Sequence, residues 1–203
     1  MRWLIPLILA LSLSPIPAAA GFPTCRLALV LAMDVSSSVD EREDRLQRLG
    51  LARALTSPEV TDAMLAIPGA PVALTIFEWS GRTQQVQILD WTLIDSPGDL
   101  AGAATRVAES RRRHRDFPTA LGHALGHAAL LLDIAPHCAR QVIDISGDGQ
   151  NNAGIQPRDA FAKFALSDVT VNGLAIDGAS EGIVDYYRHN LIRGPGSFVI
   201  AAE

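Results

Sequence analysis

Residues 27–38 read LALVLAMDVSSS, an unbroken apolar run that leads directly into a cluster of oxygen-bearing side chains. An apolar run of this length is typical of a short strand buried on both faces, as in a parallel sheet. The polar residues that follow, Asp34, Ser36 and Ser38, alternate along the chain. In an extended loop, alternate side chains project in the same direction. The stretch therefore predicts a central strand whose end carries a convergent group of oxygens.

Downstream of this stretch, helical and strand-like patterns alternate along the chain. The helical patterns cover residues 40–55, 59–66, 100–109, 119–132, 157–166 and 183–191. The further strand patterns cover residues 72–79, 85–93, 141–145, 169–176 and 197–201. Because 72–79 and 85–93 are separated by a tight turn, they predict an antiparallel hairpin with its second strand at a sheet edge. The predicted fold class is α/β: a doubly wound, mostly parallel, Rossmann-like sheet with that one antiparallel edge strand and helices on both faces.

Two of the predicted helices have apolar residues at three- and four-residue steps, which indicates the face that each one buries. In the helix at 40–55 these residues are Leu46, Leu49, Ala52 and Leu55. In the helix at 119–132 they are Leu121, Leu125, Ala128 and Leu132. Ser38 or Asp40 is suited to cap the first of these helices.

The first 20 residues have the pattern of a secretory signal peptide. Arg2 provides a positive start, residues 3–13 are apolar, and Ala18-Ala19-Ala20 fits a small-x-small cleavage site. Residues 21–203 are then expected to form one domain, in which no closing helix follows the last predicted strand. We expect the protein to be exported to the periplasm or the extracellular space without a membrane anchor.

Composition and charge argue against several classes of protein. Hydrophobic residues make up 48% of the chain and the formal net charge is −5. This hydrophobic fraction is enough for a buried core, and the negative net charge is unfavourable for nucleic-acid binding. The basic cluster at residues 111–115, with sequence RRRHR, is interpreted as a solvated loop or helix end because it is small for a phosphate footprint.

Three polar clusters fall where an open parallel sheet places its ligands, beyond the carboxyl ends of its strands. Asp34, Ser36 and Ser38 follow the first strand, Asp148 follows a later strand, and Thr119 begins the helix that leads toward that strand. Carboxylate and hydroxyl oxygens suit Mg²⁺, Mn²⁺ or Ca²⁺. With only two carboxylates, such an ion keeps positive character and can accept an acidic group from outside. Taken alone, the first cluster is more typical of a capped turn. Together with Asp148 at a second strand end, it favours the metal site.

This order of motifs resembles the metal-ion-dependent adhesion site (MIDAS) of von Willebrand A domains. The shared features are Asp-x-Ser-x-Ser after an apolar strand, a Thr before a helix, and Asp-Gly after a later strand. Two further pieces, Glu78-Trp79-Ser80-Gly81 and Ser146-Gly147-Asp148-Gly149-x-x-Asn152, are similar to a bacterial family of secreted A-like domains of unknown function. One departure is that Asp116-Phe117-Pro118 precedes the Thr, where A domains usually have glycines.

The resemblance implies roles for five residues. The hydroxyls of Ser36, Ser38 and Thr119 would bind the ion, and Asp34 and Asp148 would act directly or through water. It further implies Mg²⁺ as the preferred ion, with Mn²⁺ and Ca²⁺ as alternatives, and a protein ligand whose Glu or Asp completes the coordination. Asp144 and Ser146 lie close to Asp148 in sequence, and we interpret Asp144 as a hydrogen-bonded structural acid.

The same resemblance predicts a disulfide. In A domains the first strand neighbours the strand that ends at Asp-Gly. Cys25 lies nine residues before Asp34, and Cys138 lies ten residues before Asp148. Parallel neighbours with matched ends would bring Cys25 and Cys138 together at the opposite end of the sheet. Export to an oxidising compartment would allow this bridge to form.

The expected function is therefore metal-dependent binding of a protein partner, without catalysis. A metal-assisted hydrolase using the same oxygens is the first alternative, disfavoured because no general base is evident beside the cluster. A metal-free scaffold is the second, and the departure before Thr119 keeps it open. His123 and His127 are one helical turn apart and could share a zinc ion, but position 124 is Ala where a zinc protease has Glu.

Overall fold

The computed structural model describes residues 25–176 and 181–202, so that the predicted signal peptide lies outside the described part of the chain. Strands and helices alternate along it much as the sequence predicts. The strands are β1 (Leu27–Asp34), β2 (Val72–Trp79), β3 (Gln85–Ile94), β4 (Gln141–Gly147), β5 (Thr170–Ile176) and β6 (Val199–Ala202). The helices are α1 (Glu41–Leu55), α2 (Pro58–Leu65), α3 (Pro97–Glu109), α4 (Leu121–Asp133), α5 (Pro157–Lys163) and α6 (Ile183–Asn190).

The strands form one sheet in the order β3-β2-β1-β4-β5-β6. Only the β2–β3 pair is antiparallel, and β3 lies at an edge. The predicted fold class is thereby confirmed. Since β1 and β4 are parallel neighbours, the polar residues that follow them emerge at the same edge of the sheet.

Helices cover both faces of the sheet. One core cluster packs α4 and α6 against the sheet through residues such as Val30, Leu125 and Tyr187. The other packs α1, α2 and α3 against the opposite face through residues such as Ile76 and Leu100. Within the described residues, no helix is both long enough and apolar enough to cross a membrane.

The face that α1 buries differs from the predicted one. Leu46 and Leu49 are 58% and 46% exposed. The side chains that α1 does bury are Arg48, Ala52 and Leu55. The rotation of the helix has a physical cause: Arg48 turns inward to form an ion pair of 2.6 Å with the buried Glu78 on β2. Asp40, rather than Ser38, caps the helix.

Cys25 and Cys138 are joined by a disulfide, as predicted. The bridge precedes β1 and β4, and the backbone N–H of Ala139 donates to the carbonyl of Cys25 at 3.0 Å. The bridge therefore ties these neighbouring strands together at the end of the sheet opposite to Asp34 and Asp148.

Candidate metal site

Three loops meet at the carboxyl edge of the sheet. We call residues 35–40 the first loop, residues 110–120 the second loop and residues 148–156 the third loop. The first follows β1, the second joins α3 to α4, and the third follows β4. The five predicted ligands lie on these loops or, for Asp34, at the last position of β1.

The structure brings all five predicted ligands together in a continuous hydrogen-bonded row. The Thr119 hydroxyl donates to Ser36 Oγ at 3.1 Å, and the hydroxyls of Ser36 and Ser38 are 3.1 Å apart. Ser38 Oγ donates in turn to Asp148 Oδ1 at 2.8 Å. At the floor of the site, the backbone N–H of Ser36 donates to Asp34 Oδ1 at 2.7 Å. Residues from three separate loops thus present oxygens to one point.

The second oxygen of each carboxylate has no such partner. Asp34 Oδ2 and Asp148 Oδ2 are both buried, and no described residue forms a hydrogen bond with either. Burial, assisted by the neighbouring Asp148, raises the pKa of Asp34 to about 7. Burial likewise raises the pKa of Asp148. Two buried carboxylates with free oxygens beside three hydroxyls form a donor set that fits a hard divalent cation.

Arg112 holds the first loop in place. Its guanidinium group donates to the carbonyl of Val35 at 2.8 and 3.1 Å, to that of Ser36 at 2.7 Å and to that of Val39 at 2.7 Å. The prediction that residues 111–115 form a solvated loop is therefore wrong for Arg112, although Arg111 is exposed. Sequence reasoning missed Arg112 because nothing in a run of basic residues indicates which one turns inward.

Glu78 fixes the second loop. It ends β2 next to the site and is almost completely buried. One carboxylate oxygen accepts from Arg48 at 2.6 Å, and the other accepts from the backbone N–H of Arg113 at 2.8 Å. In the sequence, Glu78 stands out only as part of the Glu78-Trp79-Ser80-Gly81 motif, which indicates neither of these contacts. Their effect is to anchor the chain next to Arg112.

The third loop holds Thr119 in position. The backbone N–H of Thr119 donates to Asn152 Oδ1 at 2.9 Å, and the Asn152 N–H donates to the Thr119 carbonyl at 2.9 Å. This exchange keeps Thr119 out of the helix, so that α4 begins at Leu121 and not, as predicted, at Thr119. The unusual Asp116-Phe117-Pro118 segment also contacts the site, because the Phe117 carbonyl accepts from the Ser37 N–H at 2.8 Å. The departure from the glycine pattern therefore leaves Thr119 beside Ser36.

Asp144 and Ser146 lie outside the row of oxygens, although they are close to Asp148 in sequence. Asp144 accepts a hydrogen bond of 2.7 Å from Asn172 Nδ2 on β5. Ser146 Oγ lies 3.3 Å from Gln47 Oε1 and donates to it. Asp144 is thus the hydrogen-bonded acid expected from its position in the middle of a strand.

The rings of the two histidines of α4 form no hydrogen bond with the row of oxygens, although the ring of His123 lies against Gly154 in the third loop. The ring of His127 packs edge-on against Phe77, with ring centroids 4.7 Å apart, and burial lowers its pKa. Burial also lowers the pKa of His123, helped by the charges of Arg82 and Lys163. Across residues 25–176 and 181–202, no group of three or more His, Cys, Asp and Glu side chains is arranged to hold a metal. Serine and threonine are not among these four residue types, so this absence does not bear on a site built on their hydroxyls.

The sheet order and the three-loop row of oxygens define a von Willebrand A-type domain. Similar solved structures include a von Willebrand factor type A protein from Catenulispora acidiphila, with 17% identity, a TM-score of 0.61 and coverage of 88% of this chain and 39% of that one. Proximal thread matrix protein 1 from the mussel byssus, with a zinc-occupied MIDAS motif, has 13% identity, a TM-score of 0.59 and coverage of 89% and 42%. The pilus adhesin SpaC from Lactobacillus rhamnosus GG, in an open conformation, has 12% identity, a TM-score of 0.61 and coverage of 88% and 28%.

The chain belongs to the family described as "Protein of unknown function (DUF1194)", whose sequence pattern matches residues 24–203. No curated protein matches the sequence. The chain spans less than half the length of each of the three solved structures named above.

Proposed function

We propose that this protein is an exported domain that holds one divalent cation and uses it to bind a partner protein. The ion would be held by Ser36, Ser38 and Thr119 through their hydroxyls, and by Asp34 and Asp148 directly or through water. The observation that carries the proposal is the pair of buried, unpartnered carboxylate oxygens, Asp148 Oδ2 at one end of the hydrogen-bonded row and Asp34 Oδ2 at its floor. A buried charge without a partner is costly, and a bound cation removes that cost.

The spacing of the oxygens supports Mg²⁺ as the ion. Neighbouring ligands of an octahedral Mg²⁺ ion lie about 2.9 Å apart, because the metal–oxygen distance is about 2.1 Å. The neighbouring oxygens of Thr119, Ser36, Ser38 and Asp148 are 2.8–3.1 Å apart. The longer bonds of Ca²⁺ require a wider set. The mussel protein with a zinc-occupied MIDAS motif supports a divalent ion in a site of this type.

The charge of the site supports an acidic partner. Asp34 and Asp148 together balance a divalent cation. Burial raises the pKa of both carboxyl groups, and the nearby positive charge of the Arg112 guanidinium opposes that rise. The loaded site would therefore attract a Glu or Asp side chain from outside. Ser37 and Ser38 are exposed, so that a partner can reach the row of oxygens.

We propose binding rather than catalysis because Glu78, the acid among the described residues that is buried like Asp34 and Asp148 but is not a proposed ligand, already has a partner at each carboxylate oxygen. Both oxygens of Glu78 accept hydrogen bonds, one from Arg48 and one from the backbone of Arg113. A general base needs a free lone pair within reach of its substrate. The hydrolase alternative has no comparable observation in its favour.

The proposed export rests on two features. The first 20 residues have a signal-peptide pattern, and the described chain contains the Cys25–Cys138 disulfide. Disulfides persist in oxidising compartments and are rare in the cytosol. The periplasm or the extracellular space is the proposed location.

A thermal melt tests the metal site. The mature, oxidised protein is melted with EDTA and with added Mg²⁺, Mn²⁺ or Ca²⁺, because an ion that binds only the folded state raises the melting temperature. We expect a rise for the parent protein, none for Asp34→Ala, and an undiminished rise for the control Asp144→Asn, whose carboxyl lies outside the row. No rise with any ion would overturn the proposal in favour of a metal-free scaffold.

Water proton relaxation with bound Mn²⁺ tests the partner chemistry. A protein-bound Mn²⁺ ion that keeps an exchangeable water ligand enhances the relaxation of water protons. A carboxylate that replaces this water removes the enhancement. We expect acetate to lower the enhancement and an uncharged analogue, acetamide, to leave it unchanged. An enhancement that neither compound affects would contradict the proposal of an acidic ligand.

A further inference from the structure

Tyr187 on α6 carries another buried polar group without a hydrogen-bond partner toward the proposed site. The whole residue is buried, and its hydroxyl has no hydrogen-bond partner among the described residues. A buried hydroxyl without a partner costs free energy and is uncommon in folded proteins. A tyrosine hydroxyl keeps its proton at neutral pH and is therefore a hydrogen-bond donor.

Two glycines leave room for the Tyr187 side chain against the sheet. A Cβ atom on Gly173 of β5 would lie 2.7 Å from the Tyr187 ring. A Cβ atom on Gly147 of β4 would collide with Tyr187 Oη and would lie 2.8 Å from Asp34 Oδ2. The ring thus lies over Gly173, and the hydroxyl reaches the space over Gly147. The free oxygen of Asp34 faces the same space.

We infer that Tyr187 is a positioning residue for the proposed cation: its hydroxyl forms no hydrogen bond with Asp34 in this structure, donates to that carboxylate when the ion is bound, and so makes the metal affinity depend on α6. This inference rests on the proposed function. Hydrogen-bond donors behind a ligating carboxylate orient it, and their removal weakens metal binding by about 10- to 100-fold. The Tyr187 hydroxyl is a buried donor that borders the space over Gly147 together with Asp34 Oδ2.

A second contact joins α6 to the same site. The hydroxyl of Tyr186 accepts a hydrogen bond of 3.2 Å from the backbone N–H of Asn151 in the third loop. Neighbouring residues of one helix therefore approach two parts of the site, the space beside the Asp34 carboxylate and the loop that carries Asp148.

The first test removes only the oxygen atom, in Tyr187→Phe. We expect the Kd for Mn²⁺, measured by titration calorimetry, to rise about tenfold. The melting temperature in EDTA should stay the same or increase, because an unsatisfied hydroxyl is lost. The matched control is Thr75→Val, which removes a buried hydroxyl that donates to the Leu89 carbonyl at 2.8 Å. That variant should lose stability and keep the parent's Kd.

The second test follows the tyrosines directly. The chain contains two tyrosines, so that protein labelled with ¹³C at the tyrosine ζ carbon gives two resonances, which Tyr186→Phe assigns. We expect saturating Mg²⁺ to shift the Tyr187 resonance in the parent protein and to leave it unshifted in Asp34→Ala.

The outcomes separate the two proposals. If the parent binds Mn²⁺ and Tyr187→Phe binds it equally well, the inference is overturned and the proposed metal site stands. An unshifted Tyr187 resonance in metal-saturated parent protein overturns the inference in the same way. If the parent binds none of the ions, the proposed function fails and the role of Tyr187 fails with it.

Discussion

The hydroxyl of Ser38 donates a hydrogen bond of 2.8 Å to Asp148 Oδ1, although the two residues are 110 positions apart in the chain. The contact forms because β1 and β4 are parallel neighbours and both end at the same edge of the sheet. It closes the row of oxygens that begins at Thr119. Each prediction below depends on a contact at or behind this row, except for the disulfide at the opposite end of the sheet.

Thr119→Val should weaken metal binding at least tenfold. Valine has nearly the shape of threonine but no hydroxyl, and Thr119 is buried with Oγ1 donating to Ser36 Oγ. Removing one ligand of a small site lowers its affinity without disturbing the packing around it. Thr119→Ser, which keeps the hydroxyl, should bind like the parent. Titration calorimetry with Mn²⁺ measures both variants, and an unchanged Kd for the valine variant would remove Thr119 from the ligand set.

The stability of the metal-free protein should fall as the pH rises from about 4 to 7. Burial raises the pKa of Asp34 to about 7 in the folded state, whereas an unfolded Asp titrates near 4. Between these values the folded state binds more protons than the unfolded state, so that each step up in pH favours unfolding. The full effect has an upper limit of about 4 kcal/mol.

Urea unfolding in EDTA at several pH values measures this dependence. Asp34→Asn is the matched variant, because it keeps the shape of the side chain and cannot ionise. We expect the free energy of unfolding of the parent to fall relative to that of Asp34→Asn across the window. Parallel curves for the two proteins would show that Asp34 carries no buried charge.

Arg112→Lys should lower the free energy of unfolding by roughly 2 to 3 kcal/mol and weaken Mn²⁺ binding. Hydrogen bonds from a charged donor contribute about 1.5 to 3 kcal/mol each. A lysine keeps the charge but lacks the planar guanidinium group that donates to three carbonyls of the first loop. Arg111→Lys is the control, because Arg111 is exposed in the same run. Chemical denaturation and calorimetry should separate the two variants. Equal behaviour would mean that the guanidinium group of Arg112 does not hold the first loop.

Replacing both cysteines, in Cys25→Ser/Cys138→Ser, should lower the free energy of unfolding by roughly 4 kcal/mol. The bridge closes a loop with a sequence separation of 113 residues, which restricts the unfolded chain. The Kd for Mn²⁺ should remain that of the parent at temperatures where the variant is folded, because the bridge lies at the other end of β1 and β4. A variant that is folded and yet has lost its metal would contradict this separation of roles.

Much of the fold could be predicted from the sequence, because the burial of a strand or helix produces a local pattern of apolar and polar residues. The apolar run of β1 and the alternating pattern of β3 reflect whether one or both faces of a strand are covered. The ligand positions were also recognisable, since Asp34, Ser36 and Ser38 stand in a short motif and Asp148 follows a strand. In each case the signal lies within a few consecutive residues.

No local pattern in the sequence indicates the contacts that support the site. Arg112 stands among other arginines, and only the packed second loop brings its guanidinium against the carbonyls of the first. Leu46 and Leu49 have the spacing of a buried face, but α1 is rotated because Arg48 pairs with Glu78 across 30 positions of sequence. The rotation depends on a residue in another element, which a pattern within α1 cannot contain.

By itself, the sequence determined the class of the fold, the order of its elements and the chemical type of the proposed ligands, because these follow from local hydrophobic periodicity and from which side chains carry oxygen. The tertiary structure alone decided which residues stand behind those ligands. Tyr187 approaches the space beside Asp34 because Gly173 on β5 and Gly147 on the neighbouring strand β4 carry no side chain there. Packing of this kind brings together residues far apart in the chain, and its consequences are therefore visible only in three dimensions.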